Sequence, residues 1–165
     1  LRWMNGQYIK NMNSVELLKR LFSFDSKLVS ILEIFTPDQK NKLITLAKER
    51  MQTLADFKET SAIFIKVGDY SPELLVWKKS NKESAKSNLI LLREKFNLLD
   101  TDLFISIELE KILKPFGEEL GRGDVFWPLR VALSGQEASP GPIEIMEIIG
   151  KGESLKRIDL AIKVL

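Results

Sequence analysis

The sequence predicts an all-α fold of two packed helical subdomains. Three observations point there. Apolar residues recur three and four apart through most of the chain. Helix start and stop signals punctuate those runs at helical lengths. No segment alternates apolar and polar residues with period two, as a half-buried strand would.

Each element carries its own signals. Leu1–Ile9 reads as a short helix with Trp3, Met4 and Tyr8 or Ile9 at helical offsets. Asn13-Ser14 supplies a cap for a stripe of Val15, Leu17, Leu18 and Leu21. A third helix spans about Lys27 to Phe35. Thr36-Pro37-Asp38 combines an N-cap hydroxyl, a proline at the first helical position and an acid in the first turn. The helix it opens carries Leu43, Leu46, Ala47 and Arg50. Thr53 is expected to cap the next helix, through Phe57 toward Ile65. Residues 67–72 read as a loop, and Ser71-Pro72 restarts a helix at Glu73.

Lys78-Lys79-Ser80-Asn81-Lys82 is polar and basic, the composition of a joint. It divides the chain into a first subdomain, 1–78, and a second, 79–165. A long amphipathic helix then runs from about Glu83 to Leu98, with Leu89, Leu92, Phe96 and Leu99 on one face. Asp100-Thr101-Asp102 breaks it. A helix near Ser106–Leu120 is expected to kink or restart at Pro115. Asp124 is positioned to cap Val125–Leu133, and Ser134-Gly135 to close it. Ser139-Pro140-Gly141-Pro142 forms a rigid turn. Helices at about Ile143–Ile149 and Glu153–Val164 finish the chain.

Composition bounds the chemistry. The 165 residues include no cysteine and no histidine. Disulfides, thiolate catalysis, Cys/His zinc sites and histidine triads are therefore excluded. No apolar run is long enough to span a bilayer, and there is no signal-peptide pattern; the lack of cysteine fits the cytoplasmic location expected. The absence of an initiating Met suggests a trimmed piece. The formal net charge is only +2, so a nucleic-acid partner would have to be met by a local basic face. Residues 1–80 carry 13 Lys/Arg against 9 Asp/Glu, and residues 81–165 carry 12 against 14. The first half is thus better suited to follow a phosphate backbone.

One segment stands out: Pro128-Leu129-Arg130-Val131-Ala132-Leu133-Ser134-Gly135, then Ser139-Pro140, then a helix ending Ile149-Gly150-Lys151. On residue chemistry alone it is a capped helix with one arginine and a sharp two-proline turn. It strongly resembles the C-terminal end of bacterial-type glutamyl-tRNA synthetases. The last helix, with Ser154-Leu155-Lys156-Arg157-Ile158-Asp159, fits the same family. So does Leu1-Arg2-Trp3-Met4-Asn5-Gly6-Gln7-Tyr8-Ile9, which resembles the segment just after the catalytic core. The run Arg50-Met51-Gln52-Thr53-Leu54-Ala55-Asp56 resembles the family's central helix end. The likeness touches both ends and the centre; residues from about Tyr70 to Leu120 add little.

The resemblance implies a helical cage around the anticodon loop of glutamate tRNA. The parent enzyme is then a glutamate–tRNA ligase using ATP and Mg, with its catalytic domain elsewhere in the same polypeptide. This piece would hold no cofactor or metal, would act in a monomer and would be inactive alone. Single-stranded loops expose their base edges, and glutamate and glutamine tRNAs differ chiefly at the third anticodon base, cytosine against guanine. Arg50 matches the discriminating position. A guanidinium has donors only. Cytosine offers two acceptors there, whereas guanine sets donors against donors, which costs about 1–3 kcal/mol per unpaired buried group. Members that charge both tRNAs carry Gln at this position.

By the same resemblance Arg130 contacts the anticodon, and Ser139, Pro140 and Pro142 line its site. Trp127 shares a helix face with Arg130; it either stacks on a base or packs in the core. Lys40, Lys42 and Lys48 either contact phosphate or form a solvated face. Trp3 and Tyr8 match family positions and are expected in the core. A helical protein-interaction module without RNA binding is the competing reading, suited to the near-neutral charge and many amphipathic helices.

Overall fold

The computed structural model describes all 165 residues, Leu1–Leu165. It contains nine α-helices and no strand: α1 (Arg2–Asn11), α2 (Ser14–Phe24), α3 (Ser26–Ser30), α4 (Pro37–Arg50), α5 (Asp56–Ile65), α6 (Lys82–Leu98), α7 (Ser106–Leu120), α8 (Arg122–Ser134) and α9 (Pro142–Val164). Short 3-10 turns lie at Ile31–Ile34, Pro72–Leu75 and Thr101–Leu103. No helix is long and apolar enough to cross a membrane.

The chain divides into two compact units, Leu1–Lys66 and Val67–Leu165. The sequence places the joint later, at Lys78–Lys82. Residues 67–78 associate with the second unit because their side chains and backbone are engaged there: the Trp127 indole N–H donates to the Leu74 carbonyl at 2.8 Å, and Leu75 is wholly buried.

In the first unit, α4 packs on α1, α2 and α5. Leu17, Leu21, Leu43, Ile44 and Phe57 are fully buried and form its core. The capping signals act as their chemistry requires. Asn13 accepts from the Glu16 amide at 2.8 Å. Thr36 and Gln39 form a reciprocal box: the Gln39 amide donates to Thr36 Oγ1 at 3.3 Å and the Thr36 amide to Gln39 Oε1 at 2.9 Å. Some expectations fail here. Trp3 and Tyr8 are 71% and 75% exposed, because α1 buries only Ile9. Val15 also faces outward. Thr53 does not cap α5. Instead Asp56, in the first turn of α5, reaches back to the Gln52 and Thr53 amides at 2.8 and 2.9 Å.

In the second unit, α8 packs on α6, α7 and α9. Leu89, Leu92, Phe96, Leu109, Leu113, Val125, Leu129 and Ile145 are fully buried. Helix α7 runs through Pro115 without restarting; the proline is exposed. Helix α8 begins at Arg122, three residues before the sequence places it. Its N-cap is Gly121 at φ 95°, and Asp124 sits inside the first turn. Helix α9 is broken at Gly150 (φ 78°, ψ 173°), which separates the two final helices the sequence predicts. Arg93 and Asp159 join α6 to α9 through paired contacts of 2.9 and 3.2 Å.

Candidate nucleic-acid interface

In the first unit Arg50 is the last residue of α4, and it is exposed. Its neighbour Glu49 is paired with Lys10, so the nearest carboxylate in sequence is already taken. The guanidinium has no hydrogen bond or ion pair within the chain. The backbone just beyond Arg50 is tightly held. Met51 is buried at the C-cap, with its amide on the Ala47 carbonyl at 3.0 Å. The Gln52 carbonyl accepts from Asn5 Nδ2 at 2.6 Å. Asp56 binds both Gln52 and Thr53 amides and the Thr53 hydroxyl, the last at 2.8 Å. These amides, led by that of Gln52, hold the Asp56 carboxyl below the usual carboxylate range. A free guanidinium thus stands on a backbone fixed from both sides.

Lys40, Lys42 and Lys48 lie on the same helix and are half-buried along their stems. Lys42 is paired with Asp38 at 3.0 Å. Lys40 and Lys48 have no carboxylate partner. Lys48 and Arg50 also sit in the last turn of α4, where positive charge complements the helix dipole.

In the second unit α8 carries Trp127 and Arg130. Trp127 is half-buried and turned inward. Its N–H is spent on the Leu74 carbonyl, and its ring lies 4.9 Å from that of Trp77 at an interplanar angle of 47°. Arg130 differs: its Nε is fully buried and has no hydrogen-bond partner. The backbone around it is fixed. Ser134 Oγ donates to the Arg130 carbonyl at 2.7 Å and accepts from the Gln136 amide at 3.1 Å. Gly135 closes α8 at φ 71°, where an added Cβ would stand 3.0 Å from Val67 Cγ1.

The turn to α9 is closed by its own polar groups. Ser139 Oγ donates to the Pro140 carbonyl at 2.9 Å, and the Gly141 amide donates to Glu144 Oε2 at 2.7 Å. Pro140 and Pro142 are buried, and Pro142 occupies the first position of α9. Their rings therefore serve packing, and Ser139 is the partly open residue of the three. The sequence singles out Trp127 but not Trp77, the residue it touches. The signal for Trp77 is the Trp77-Lys78-Lys79 string, an aromatic followed by two cations. No group of three or more Asp or Glu side chains is arranged to hold a metal ion.

Each all-helical unit thus carries a donor-only guanidinium without an internal acceptor, Arg50 in the first and, at its Nε, Arg130 in the second. The chain belongs to the anticodon binding domain family, whose model matches residues 13–162. Among curated proteins it is 34% identical over 166 residues to a glutamate–tRNA ligase of Lachnoclostridium phytofermentans, covering 98% of this chain and 33% of that protein. It is 35% identical over 170 residues to the glutamate–tRNA ligase of Clostridium kluyveri, covering 100% of this chain and 34% of that one. The chain therefore spans about a third of the length of these relatives. Among solved structures, a glutamate tRNA ligase from Elizabethkingia meningosepticum superposes with a TM-score of 0.79 at 24% identity, over 99% of this chain and 32% of that one. The glutamate-tRNA synthetase of Elizabethkingia anophelis gives 0.72 at 24% identity, over 98% and 31%. At that identity the two structures speak to the fold.

Proposed function

We propose that this chain is the anticodon-reading part of a glutamate–tRNA ligase and binds the anticodon loop of glutamate tRNA. The observation that carries the reading is the buried, unpartnered Nε of Arg130. A buried donor without an acceptor costs about 1–3 kcal/mol, and native proteins keep few of them. An acceptor brought by a ligand relieves it once the partly exposed Arg130 side chain turns outward to meet it, because a guanidinium can only donate. Base edges and phosphates of an unpaired loop are rich in acceptors.

Both helical units take part in this reading. In the first, Arg50 selects a cytosine edge over a guanine edge, with Lys40, Lys42 and Lys48 nearby for phosphate. In the second, Arg130 and Ser139 meet the loop. Trp127, Pro140 and Pro142 hold the walls behind them. Attachment of glutamate, with its ATP and magnesium, belongs to a catalytic domain of the same polypeptide, acting as a cytoplasmic monomer. The exposed Leu1, Trp3, Met4 and Tyr8 of the first unit offer an apolar face for that domain.

The test is binding of glutamate tRNA by the wild-type chain and by Arg130→Ala and Arg130→Lys. The reading expects about a tenfold or greater loss for both variants, since Lys lacks the planar fork. Equal affinity of all three would remove it.

A further inference from the structure

A second basic feature lies apart from Arg50 and Arg130. Trp77 is held on several sides. The Trp127 ring lies 4.9 Å away. The ammonium of Lys78 sits 4.6 Å from its ring centroid. Its indole edge lies against the backbone of Gly123, so closely that a Cβ there would fall 2.0 Å from Trp77 Nε1. That absence of a side chain brings the first turn of α8, and with it Arg122, next to the Trp77-Lys78-Lys79 segment.

Lys78 is also the one non-glycine residue with a positive φ, at 40°. Such a backbone is costly and persists where its surroundings over-determine it, a pattern concentrated at functional positions. Here the surroundings are the two tryptophans, and the result is a lysine fixed over an indole rather than free to sweep the surface. Lys78, Lys79 and Arg122 are all exposed, and none of them is paired with a carboxylate. In the second unit Lys82, Arg93, Lys111, Lys114, Lys156 and Arg157 each have an acidic partner, and the other cations without one, such as Lys86, Lys95 and Lys163, are scattered along α6 and α9. What sets Lys78, Lys79 and Arg122 apart is that they stand together around the Trp77 and Gly123 contact, with Lys78 held over the indole, in a stretch of chain with net negative charge.

We propose that Lys78, Lys79 and Arg122 form a phosphate clamp for the RNA strand that leads into the anticodon loop. The proposal rests on the RNA-binding reading above and adds to it a contact made without regard to sequence. Arg122 and Arg130 are eight residues apart on α8, about 12 Å along the helix axis. An RNA loop held at Arg130 would therefore bring its flanking phosphates within range of this patch. Trp77 is a positioning residue in this scheme, because its surroundings leave it better suited to hold Lys78 than to stack a base. The clamp supplies affinity and register, and base selection stays with the arginines of the loop site.

The experiment is glutamate-tRNA binding by the full chain across a salt series, from about 50 to 200 mM. It compares the wild type, K78Q/K79Q/R122Q, and the charge-preserving K78R/K79R/R122K. The neutral triple variant should bind about tenfold or more weakly at low salt. Its log–log salt slope should be shallower by about 2–3, from about 0.7–0.9 for each of the three phosphates no longer neutralised. Its preference for glutamate over glutamine tRNA should not change, and the charge-preserving variant should keep the wild-type slope. An unchanged slope in the neutral variant, beside a wild type that binds, overturns the clamp alone. So does a changed preference between the two tRNAs. A wild type that fails to bind either tRNA overturns the RNA reading and the clamp with it. Should the neutral triple variant lose its helical circular dichroism, R122Q alone decides: a slope shallower by about 0.7–0.9 supports the clamp, and an unchanged one overturns it.

Discussion

Asp56 accepts the amide of Gln52 at 2.8 Å and so fixes the chain two residues beyond Arg50. The contact reverses the usual direction of a cap. The acid lies in the first turn of α5 and reaches back, rather than a hydroxyl reaching forward. It makes the end of α4 and the start of α5 one rigid corner, and Arg50 stands on that corner.

Removing the corner's carboxylate should cost stability. Asp56→Ala loses its bonds to Gln52 and Thr53 and should destabilise the chain by about 1–2 kcal/mol, the scale of a lost cap. Urea titration of the two proteins checks the figure. A loss under a few tenths of a kcal/mol would mean that Asn5 and Met51 suffice to hold the turn.

The same group makes stability depend on pH. The Asp56 carboxyl is depressed below its ordinary 3.8, chiefly by the Gln52 amide. A depressed carboxyl contributes stability that is fully present above its unfolded value and is lost as pH falls through the folded one. Between neutral pH and about pH 5, the difference between wild type and Asp56→Asn should therefore stay constant. Below pH 3.8 it should shrink. Urea midpoints measured at steps of pH resolve this, and a difference that grows on acidification would contradict the assignment.

Gly123 should not tolerate a side chain. A Cβ placed 2.0 Å from Trp77 Nε1 must push aside an indole that is also against Trp127. Overpacking of this kind costs about 1–3 kcal/mol. Gly123→Ala should lower the thermal midpoint and shift the tryptophan emission. Gly68→Ala, where nothing lies within 4 Å, is the control and should change neither.

Trp127 is expected to support α8 rather than a base, because its N–H is already bound to the Leu74 carbonyl. Trp127→Phe keeps an aromatic ring but loses the bond to the Leu74 carbonyl, and should cost about 1 kcal/mol of stability. Glutamate-tRNA affinity, measured where both proteins are folded, should be unchanged. Loss of affinity without loss of stability would instead favour direct stacking, worth about 1–3 kcal/mol per base.

Much of the fold is legible in the sequence because it is written locally. The Thr36-Pro37-Asp38 start, the Asn13 cap and the Gly135 stop each act within one turn of chain. Such signals do not depend on what packs nearby. The misreadings have a common cause in tertiary context. Trp3 and Tyr8 are apolar enough for a core, yet α1 turns only Ile9 inward. Pro115 breaks helices in general, but on the exposed side of α7 its ring meets solvent. Composition places a boundary near residue 78, whereas Leu74 and Trp77 are bound to partners some fifty residues away. Site residues divide in the same way. Arg50 and Arg130 stand out as cations in family-like strings, and their lack of internal acceptors is visible only in three dimensions. The approach of the first turn of α8, which carries Arg122, to the Trp77-Lys78-Lys79 segment depends on Gly123 meeting Trp77, a contact between residues 46 positions apart, which no local pattern encodes.

A donor-only side chain at position 50 is proposed to read the third anticodon base. The most direct measurement is the ratio of affinities for glutamate and glutamine tRNAs, taken at one fixed salt concentration for wild type and Arg50→Gln. A glutamine amide can turn to offer either a donor or an acceptor. The ratio should fall by about 10- to 100-fold, from about 1–3 kcal/mol of relieved mismatch, mostly through tighter binding of glutamine tRNA. A ratio that does not move, with both proteins folded and binding, would contradict the assignment of Arg50.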